Sequence, residues 1–213
     1  MAGDIEIARY ASKFLASNMN VVRDAGHVLL VDPFPREGVL DGCELDAILL
    51  THEHYDHISG IDYWRNLTDA QIVCSNACAA GCCDSRRNLS RYSGTIADMA
   101  IWAPAGCGSV DAFECDVEGR FADEMRFEWQ GHDVWLFACP GHSPGSAGIV
   151  LDKSFLFSGD SLLFGMKTEL RFPGGSVAEW ESVGKPRLQS LDPGIRVYPG
   201  HFDSFVLADY DCW

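Results

Sequence analysis

Seven side chains, His52, His54, Asp56, His57, His142, Asp160 and His201, are of the types that bind transition metals, and four of them crowd into Thr51-His52-Glu53-His54-Tyr55-Asp56-His57. Imidazole nitrogen and carboxylate oxygen suit zinc, iron and manganese, and ligand type does not choose among the three. In extended backbone alternate residues project to one side, so His52 and His54 form a chelating pair. Asp56 and His57 fall where the chain turns into the next helix. Adjacent residues there point in different directions and are able to serve a second metal beside the first. The remaining candidates lie in Cys139-Pro140-Gly141-His142-Ser143-Pro144-Gly145, in Phe157-Ser158-Gly159-Asp160-Ser161 and in Pro199-Gly200-His201. A glycine precedes each, letting the backbone turn sharply and bring the side chain into a crowded centre. Three recurrences of this design argue against ordinary polar turn residues.

The elements that must carry these groups are legible in the apolar pattern. Residues 20–23 and 27–32 flank the Asp24-Ala25-Gly26 turn as a β-hairpin, with Pro33 ending the second strand. The short run Ala47-Ile48-Leu49-Leu50 is β-compatible and leads directly into the histidine cluster, placing it at a strand's C-terminal end. Ile58, Ile61, Trp64 and Leu67 recur every third position and predict a helix over 58–67, and 71–74 reads as the following strand. Residues 75–91 begin as a helix and pass through Cys107-Gly108-Ser109 into a loop-rich region. Strands are predicted at 125–129, 134–139, 147–151 and 155–158, a helix over 177–191 despite Pro186, and a last strand at 196–198. Each of His142, Asp160 and His201 then sits in a turn directly after a strand.

The chain has 213 residues, 47% of them hydrophobic, with no repeat or linker-like tract, so the sequence predicts one domain over 1–213. A formal charge of -15 disfavours a grip on a nucleic-acid backbone and fits a small-molecule substrate. The opening residues lack a basic region followed by an apolar run, and no stretch is long enough to span a bilayer, so the expected setting is cytoplasmic, away from membranes. Nine cysteines, including adjacent Cys82 and Cys83, suit reduced thiols. Cys74, Cys78 and Cys82 recur at helical spacing and read as one buried helix face, although a further metal or cluster is the alternative. His27 and His132 read as surface residues of hairpin turns, and Arg86, Arg87 and Arg91 as a solvated helix face, with contact to an anionic substrate as the alternative.

Taken in order, His-x-His-x-Asp-His, Gly-His-Ser-Pro-Gly, Gly-Asp-Ser and Pro-Gly-His resemble the metallo-β-lactamase fold superfamily from about residue 17 to about 205. The resemblance implies an α/β (α+β) fold, an αββα sandwich of two mixed sheets flanked by helices with the metals at one edge. It further implies that His52, His54 and His142 bind one metal, that Asp56, His57 and His201 bind another, and that Asp160 bridges them. Two divalent ions, zinc by default, would supply a metal-bound hydroxide as nucleophile, with Asp56 orienting it, and a serine or cysteine nucleophile is not required. Thr51, Ser143 and Ser161 are adjacent candidates for fixing ligand tautomers.

Cys-Pro-Gly-His, Phe-Ser-Gly-Asp and Arg171-Phe172-Pro173-Gly174-Gly175 place the resemblance with short, single-domain relatives of hydroxyacylglutathione hydrolase, or glyoxalase II, which cleave a thioester. A thioester, ester or lactone of a small molecule is the implied substrate. The full-length glyoxalase II enzymes add a C-terminal helical region that helps hold glutathione, whereas here the chain ends soon after His201. Phe202 and Asp203 stand where Gly-Pro often follows the last His, so a different pocket mouth is expected. Phe164, Met166, Lys167, Arg171 and Phe202 are candidate substrate contacts, because loops on a rigid scaffold carry specificity. The alternatives within the fold are a phosphodiesterase or nuclease, which the acidic charge disfavours, and an iron-dependent redox enzyme like the persulfide dioxygenases. The dioxygenases dispense with second-metal ligands such as His57. A noncatalytic binding protein of the same fold is disfavoured by the complete ligand set.

Overall fold

The computed structural model describes residues 5–99 and 108–213. Its strands are β1 (Glu6–Ala11), β2 (Asn18–Asp24), β3 (His27–Val31), β4 (Glu44–Leu49), β5 (Gln71–Ser75), β6 (Gly119–Phe121), β7 (Glu124–Trp129), β8 (His132–Ala138), β9 (Ala147–Leu151), β10 (Phe155–Gly159), β11 (Arg196–Pro199) and β12 (Phe205–Val206). Its helices are α1 (Tyr55–Ile58), α2 (Ile61–Arg65), α3 (Asn76–Cys82), α4 (Ser93–Met99), α5 (Val177–Glu179) and α6 (Lys185–Gln189). The first sheet runs in the order β1-β2-β3-β4-β5-β6 and the second in the order β12-β11-β10-β9-β8-β7. Both are mixed: β3, β4, β5 and β6 pair in parallel, as do β10 and β11, while the other neighbours are antiparallel.

Period-two side-chain alternation explains the layering. In the first sheet Val21, Val28, Leu30, Ile48 and Ile72 pack outward against Ile58, Ile61, Trp64 and Cys78. Their chain neighbours Val22, Leu29, Val31, Leu49 and Val73 face inward onto Val134, Leu136, Ile149, Leu151 and Phe157 of the second sheet. That sheet's other face buries Phe137, Val150, Leu156 and Val197 under Trp180 and Leu188. Two sheets thus lie between two helical layers, the αββα sandwich implied by the motif order. Strands covered on both faces read as continuous apolar runs, as 28–31 and 47–50 do.

The predicted hairpin is β2–β3, closed by Ala25 and Gly26 with φ of +49° and +85°, the pair of positive values that a tight hairpin turn requires. The helix predicted over 58–67 is instead α1 and α2, because Gly60 N–H leaves the helical ladder to donate to Pro33 O at 2.9 Å. The helix expected from 75 stops at Cys82. Beyond it the Asp84 carboxylate accepts from Arg86 N–H at 2.9 Å, a local bond that competes with helix continuation. Part of the loop-rich stretch expected there, Cys107 included, lies outside the described residues. From 177 to 189 the chain is helical but passes through a wider π turn, Trp180–Gly184, that ends two residues before Pro186. That turn accommodates a residue with no N–H to donate. Strands β1, β6 and β12 were not anticipated. All three lie at sheet edges, and the latter two are too short to show a period.

His132 is a correction to the sequence reading. It is 2% exposed, with Nδ1 2.6 Å from Asp152 Oδ2 and Nε2 3.3 Å from Asp24 Oδ2. Two carboxylates compensate its burial and tie the turn after β7 to the end of β2 in the other sheet. His27 is half-buried and contacts Asp46. The eight described cysteines are free, and Cys74, Cys78 and Cys82 lie in the outer core of the first sheet. Among the described residues no helix is long and apolar enough to cross a membrane.

Candidate metal centre

Strand β4 delivers His52, His54, Asp56 and His57, β8 delivers His142, β10 delivers Asp160 and β11 delivers His201. The sheets are joined directly behind the cluster, where Ala147 N–H donates to Thr51 O at 2.7 Å. The His201 turn is held by the start of β2: Asn18 N–H donates to Gly200 O at 2.7 Å, and the Asn18 amide donates to Pro199 O and Phe202 O. Ser17 Oγ donates to Asp56 O at 2.8 Å, so one short segment registers two ligand loops.

All seven predicted ligands come together. The ligand atoms of His52, His54 and His142 lie within 4.8 Å of one another, and so do those of Asp56, His57 and His201. His142 Nε2 is 3.1 Å from His54 Nδ1. Asp160 sits between the two groups, with Oδ1 3.5 Å from His57 Nε2 and Oδ2 3.4 Å from His201 Nε2 and 3.7 Å from His142 Nε2. Two ligands on one tetrahedral zinc are about 3.3 Å apart, given zinc–nitrogen bonds of roughly 2.0 to 2.1 Å. The observed spacings match those of ligands converging on shared ions.

The hydrogen bonds that are present fix the tautomers. Thr51 Oγ1 gives its proton to Asp32 Oδ2 at 2.6 Å, so at 3.0 Å from His52 Nδ1 it is left to accept, and the His52 lone pair stays on Nε2. His142 Nδ1 donates to Glu169 O at 2.8 Å, and His57 Nδ1 faces Asp32 Oδ2 at 3.1 Å. Nε2 of His52, His54 and His57, Nδ1 of His201 and Oδ1 of Asp160 are buried without any hydrogen-bond partner. Each such atom costs about 1 to 3 kcal/mol unless something compensates it. Of these atoms, Nε2 of His52 and of His57 and Oδ1 of Asp160 face the centre, while His54 and His201 present their other nitrogens, Nδ1 and Nε2, to it; unpartnered lone pairs gathered there are what a cation compensates, so these residues fit divalent metal ions.

Electrostatics divides the centre. Burial, aided by neighbouring imidazoles, holds His52 and His54 well below the usual histidine range, leaving neutral bases. Burial opposes charge on His57 too, but the carboxylates of Asp56, Asp160 and Asp32 outweigh it and raise this imidazole to about 10. Asp160, despite burial, is held well below the usual carboxylate range by His201 and His57. A proton at His57 and a metal ion therefore compete for one nitrogen.

Two functional residues were missed in the sequence. Asp32 is buried and accepts from Thr51 N–H at 2.8 Å as well as from Thr51 Oγ1 and His57. It falls within ligand distance of His52 and His57, but these bonds make it an orienting acceptor. Its place at the end of β3, beside β4 in a parallel pair, was the available signal. Asp32→Asn is expected to keep the fold and weaken metal binding by about 10- to 100-fold, the usual cost of losing a ligand's orienting partner. Competition with a chromophoric chelator measures this, and an unchanged affinity would refute the role.

Glu53 is the other. It is 1% exposed, and Oε2 accepts from Ser143 Oγ at 2.9 Å, which ties the His52–His54 segment to the His142 turn. Ser143 thus acts through Glu53, while Ser161 contacts Cys139 rather than a ligand. Burial pushes the Glu53 carboxyl up to about 7 from an ordinary 4.5. Because the folded value lies above the unfolded one, its stabilising contribution is complete below pH 4.5 and is lost as pH rises through about 7. Relative to the parent, Glu53→Gln is expected to gain on the order of 3 kcal/mol between pH 5 and pH 8, since 1 unit corresponds to about 1.4 kcal/mol. Urea unfolding at the two pH values reads this difference, and parallel pH dependence in both proteins would exclude it.

The candidate substrate contacts are dispersed. Phe164 and Phe202 are exposed and line an open cleft with Arg196 and Phe205. Lys167 is exposed, and Met166 O accepts from the Tyr210 hydroxyl at 2.8 Å. Arg171 lies exposed with its guanidinium locked onto Glu169. The neighbouring Phe172, absent from the sequence-based candidates, instead stands 6.2 Å from His54 and 6.3 Å from His142 between ring centroids. Arg86 and Arg87 are exposed in the Asp84 turn, and Arg91 is exposed on the short 3-10 helix Ser90–Tyr92.

Residues 12–77 match the model of the metallo-beta-lactamase superfamily. The hydroxyacylglutathione hydrolase of Cereibacter sphaeroides is 29% identical over 161 residues, covering 75% of this chain and 49% of that protein. The chain thus spans about half the length of that relative. Among solved structures, a B3 metallo-beta-lactamase superposes with a TM-score of 0.79 at 20% identity, covering 96% of this chain and 95% of the other. A protein solved in a di-iron-bound form gives 0.71 at 24% identity, covering 95% and 96%.

Proposed function

We propose, from the premise that this chain is a metallo-β-lactamase-fold protein, that it is a dinuclear metal-dependent hydrolase of a thioester, ester or lactone of a small molecule. The observation that carries this reading is the convergence of buried ligand atoms from His52, His54, His142, Asp56, His57 and His201 around Asp160, with His52 Nε2, His57 Nε2 and Asp160 Oδ1 left without a hydrogen-bond partner. His52, His54 and His142 would hold one ion, Asp56, His57 and His201 the other, with Asp160 shared. Such ions lower the pKa of a coordinated water and polarise a carbonyl oxygen. Zinc is the metal we favour for three neutral imidazoles, with iron and manganese compatible with the same ligands.

The chain's own groups would do the rest. Asp56 Oδ2 lies 3.4 Å from His57 Nε2 and 3.5 Å from His201 Nε2, at the heart of the carboxylate-rich half, where it is placed to orient the attacking water. Water adds its oxygen to the carbonyl carbon, the bond to sulfur or oxygen breaks, and the released group leaves with a proton. Asp32, Thr51 and Glu53 keep the ligands in one tautomer and orientation throughout. The net charge of -15 supports a small molecule over nucleic acid as substrate. Nine cysteines support a reducing, cytoplasmic setting.

The test is metal content by elemental analysis, followed by assay of the same preparation against thioesters, esters, lactones and phosphodiesters. About two zinc-like ions per chain with turnover of an acyl substrate is the expected result. One iron per chain with oxygen consumption, or turnover of phosphodiesters alone, would overturn the reading.

A further inference from the structure

Sulfur gathers in the outer core of the first sheet, where Cys74 of β5 and Cys78 and Cys82 of α3 meet Cys115, from the segment before β6. The thiols form a hydrogen-bonded chain: Cys78 contacts Cys74 and Cys82, and Cys82 contacts Cys115. Backbone holds the last pair together, because Cys115 N–H donates to Cys82 O at 3.0 Å. Thiols in contact on backbones one hydrogen bond apart need only a small closure to reach the roughly 2 Å of a sulfur–sulfur bond. Among the described residues no group of three ligand atoms close enough to share an ion includes a cysteine sulfur. The arrangement is therefore one of facing thiols and not a thiolate cage for a metal. Cys82 is fully buried, but Cys115 is 7% exposed and lines a surface cleft of about 320 Å³ with Asp62, Arg65, Cys83, Glu114 and Asp116. A small oxidant in that cleft is one thiol away from Cys82. Hydrogen bonds from the Cys115 and Cys78 thiols, with the Arg65 charge nearby, outweigh burial and hold Cys82 below the usual thiol range, while its bond to Cys82 raises Cys115. Cys82 is thus the nucleophile of the pair and Cys115 its proton-bearing partner.

We propose that Cys82 and Cys115 are a redox pair that hydrogen peroxide oxidises to a disulfide, and that this bond shifts the end of α3 against Glu53 and weakens the hold on metal. The Cys82 thiolate attacks one peroxide oxygen, a sulfur–oxygen bond forms, the oxygen–oxygen bond breaks and hydroxide leaves, giving a sulfenic acid. The Cys115 sulfur then attacks the Cys82 sulfur, the sulfur–oxygen bond breaks, and the hydroxyl leaves with the Cys115 proton as water. Two electrons pass from the sulfurs to peroxide, and a reductant reverses the bond. The link to the metal centre is steric. Gly81, beside Cys82 on α3, has no room for a β-carbon against the Glu53 side chain, and Gly145 of the His142 turn has none against the Cys78 backbone. The redox pair stands apart from the hydrolase reading, and its effect on metal rests on the metal-centre part of that reading.

The experiment treats the full chain with a small excess of hydrogen peroxide, caps the remaining thiols, and maps the peptides by mass spectrometry before and after a phosphine reductant. Zinc affinity is measured on the same samples by competition with a chromophoric chelator. A Cys82–Cys115 crosslink with the loss of two hydrogens is expected, together with zinc affinity lowered about tenfold, the scale of disturbing a ligand's outer support. Both should return on reduction. Cys115→Ser, whose zinc affinity before oxidation should equal the parent's, should yield no crosslink and a Cys82 sulfenic acid that dimedone traps. Cys83→Ser, at the exposed neighbour, should crosslink as the parent does. Disulfides that run through Cys83 or Cys74, or sulfinic acids with Cys82 and Cys115 unpaired, would overturn the redox pair. A crosslink that leaves zinc affinity unchanged would overturn the coupling to Glu53. A crosslink in protein that binds no zinc would keep the pair and sink the metal-centre reading, and zinc binding without the crosslink would do the reverse.

Discussion

Asp160→Asn is expected to lower kcat/KM by roughly a thousandfold, about 4 kcal/mol of transition-state stabilisation, and to reduce bound metal from about two ions to about one. The two Asp160 oxygens face His57, His201 and His142 at 3.4 to 3.7 Å, so this carboxylate is the single group between both candidate sites. An amide keeps the shape but presents one neutral oxygen and an N–H₂ that repels a cation. Elemental analysis, kcat/KM at saturating metal and a thermal melt on one preparation separate a lost ion from a lost fold. Full metal occupancy with activity within tenfold of the parent would show that Asp160 does not bridge.

Gly145→Ala carries the largest expected effect on stability. A β-carbon there would overlap the Glu53 carboxylate and lie 2.6 Å from the Cys78 backbone nitrogen. A flexible side-chain end would swing aside, but α3 backbone does not. The substitution therefore forces the His142 turn away from both α3 and Glu53. Overpacking of a filled core costs about 1 to 3 kcal/mol and occasionally more, and the Glu53–Ser143 bond is lost with it. The melting temperature is expected to fall by about 6 to 12 °C, at roughly 2 to 4 °C per kcal/mol for a chain of this size. Metal affinity should weaken in parallel. Adding Glu53→Ala should restore only a minor part, since the Cys78 backbone remains. Full rescue by the second substitution would place the obstruction in the side chain alone.

The contrast between Asp160 and Glu53 shows what was legible in the sequence. Asp160 announces itself because it follows a strand and a glycine, as His142 and His201 do, and the order of the motifs carries the fold with it. The doubly covered strands were equally plain, since residues such as Leu29 and Leu30 are apolar whichever face they serve. Glu53 was hidden because an acidic residue between two histidines reads as solvent-facing by alternation. The Ser143 bond and the notch made by Gly81 and Gly145 show that it points into protein. Asp32 was hidden differently: its meaning depends on β3 pairing in parallel with β4, a long-range fact. His132 misled for the same reason, because its partners Asp24 and Asp152 come from distant turns. Phe172 has no local signature at all, being an ordinary apolar residue until the chain folds it beside His54 and His142.

The grip of Ser17 and Asn18 on the Asp56 and His201 loops has a consequence in time. As the chain leaves the ribosome, His52 and His54 emerge early, but they are two nitrogens of a larger set and chelate a cation only weakly. Full affinity waits until β11 has paired in parallel with β10 and its turn has been caught by the start of β2. Pairings of such long sequence separation are slow to form. Metal uptake during refolding should therefore be a late event that trails the recovery of secondary structure, and the ion that is finally retained is chosen by the finished topology rather than by whichever cation the nascent histidines meet first.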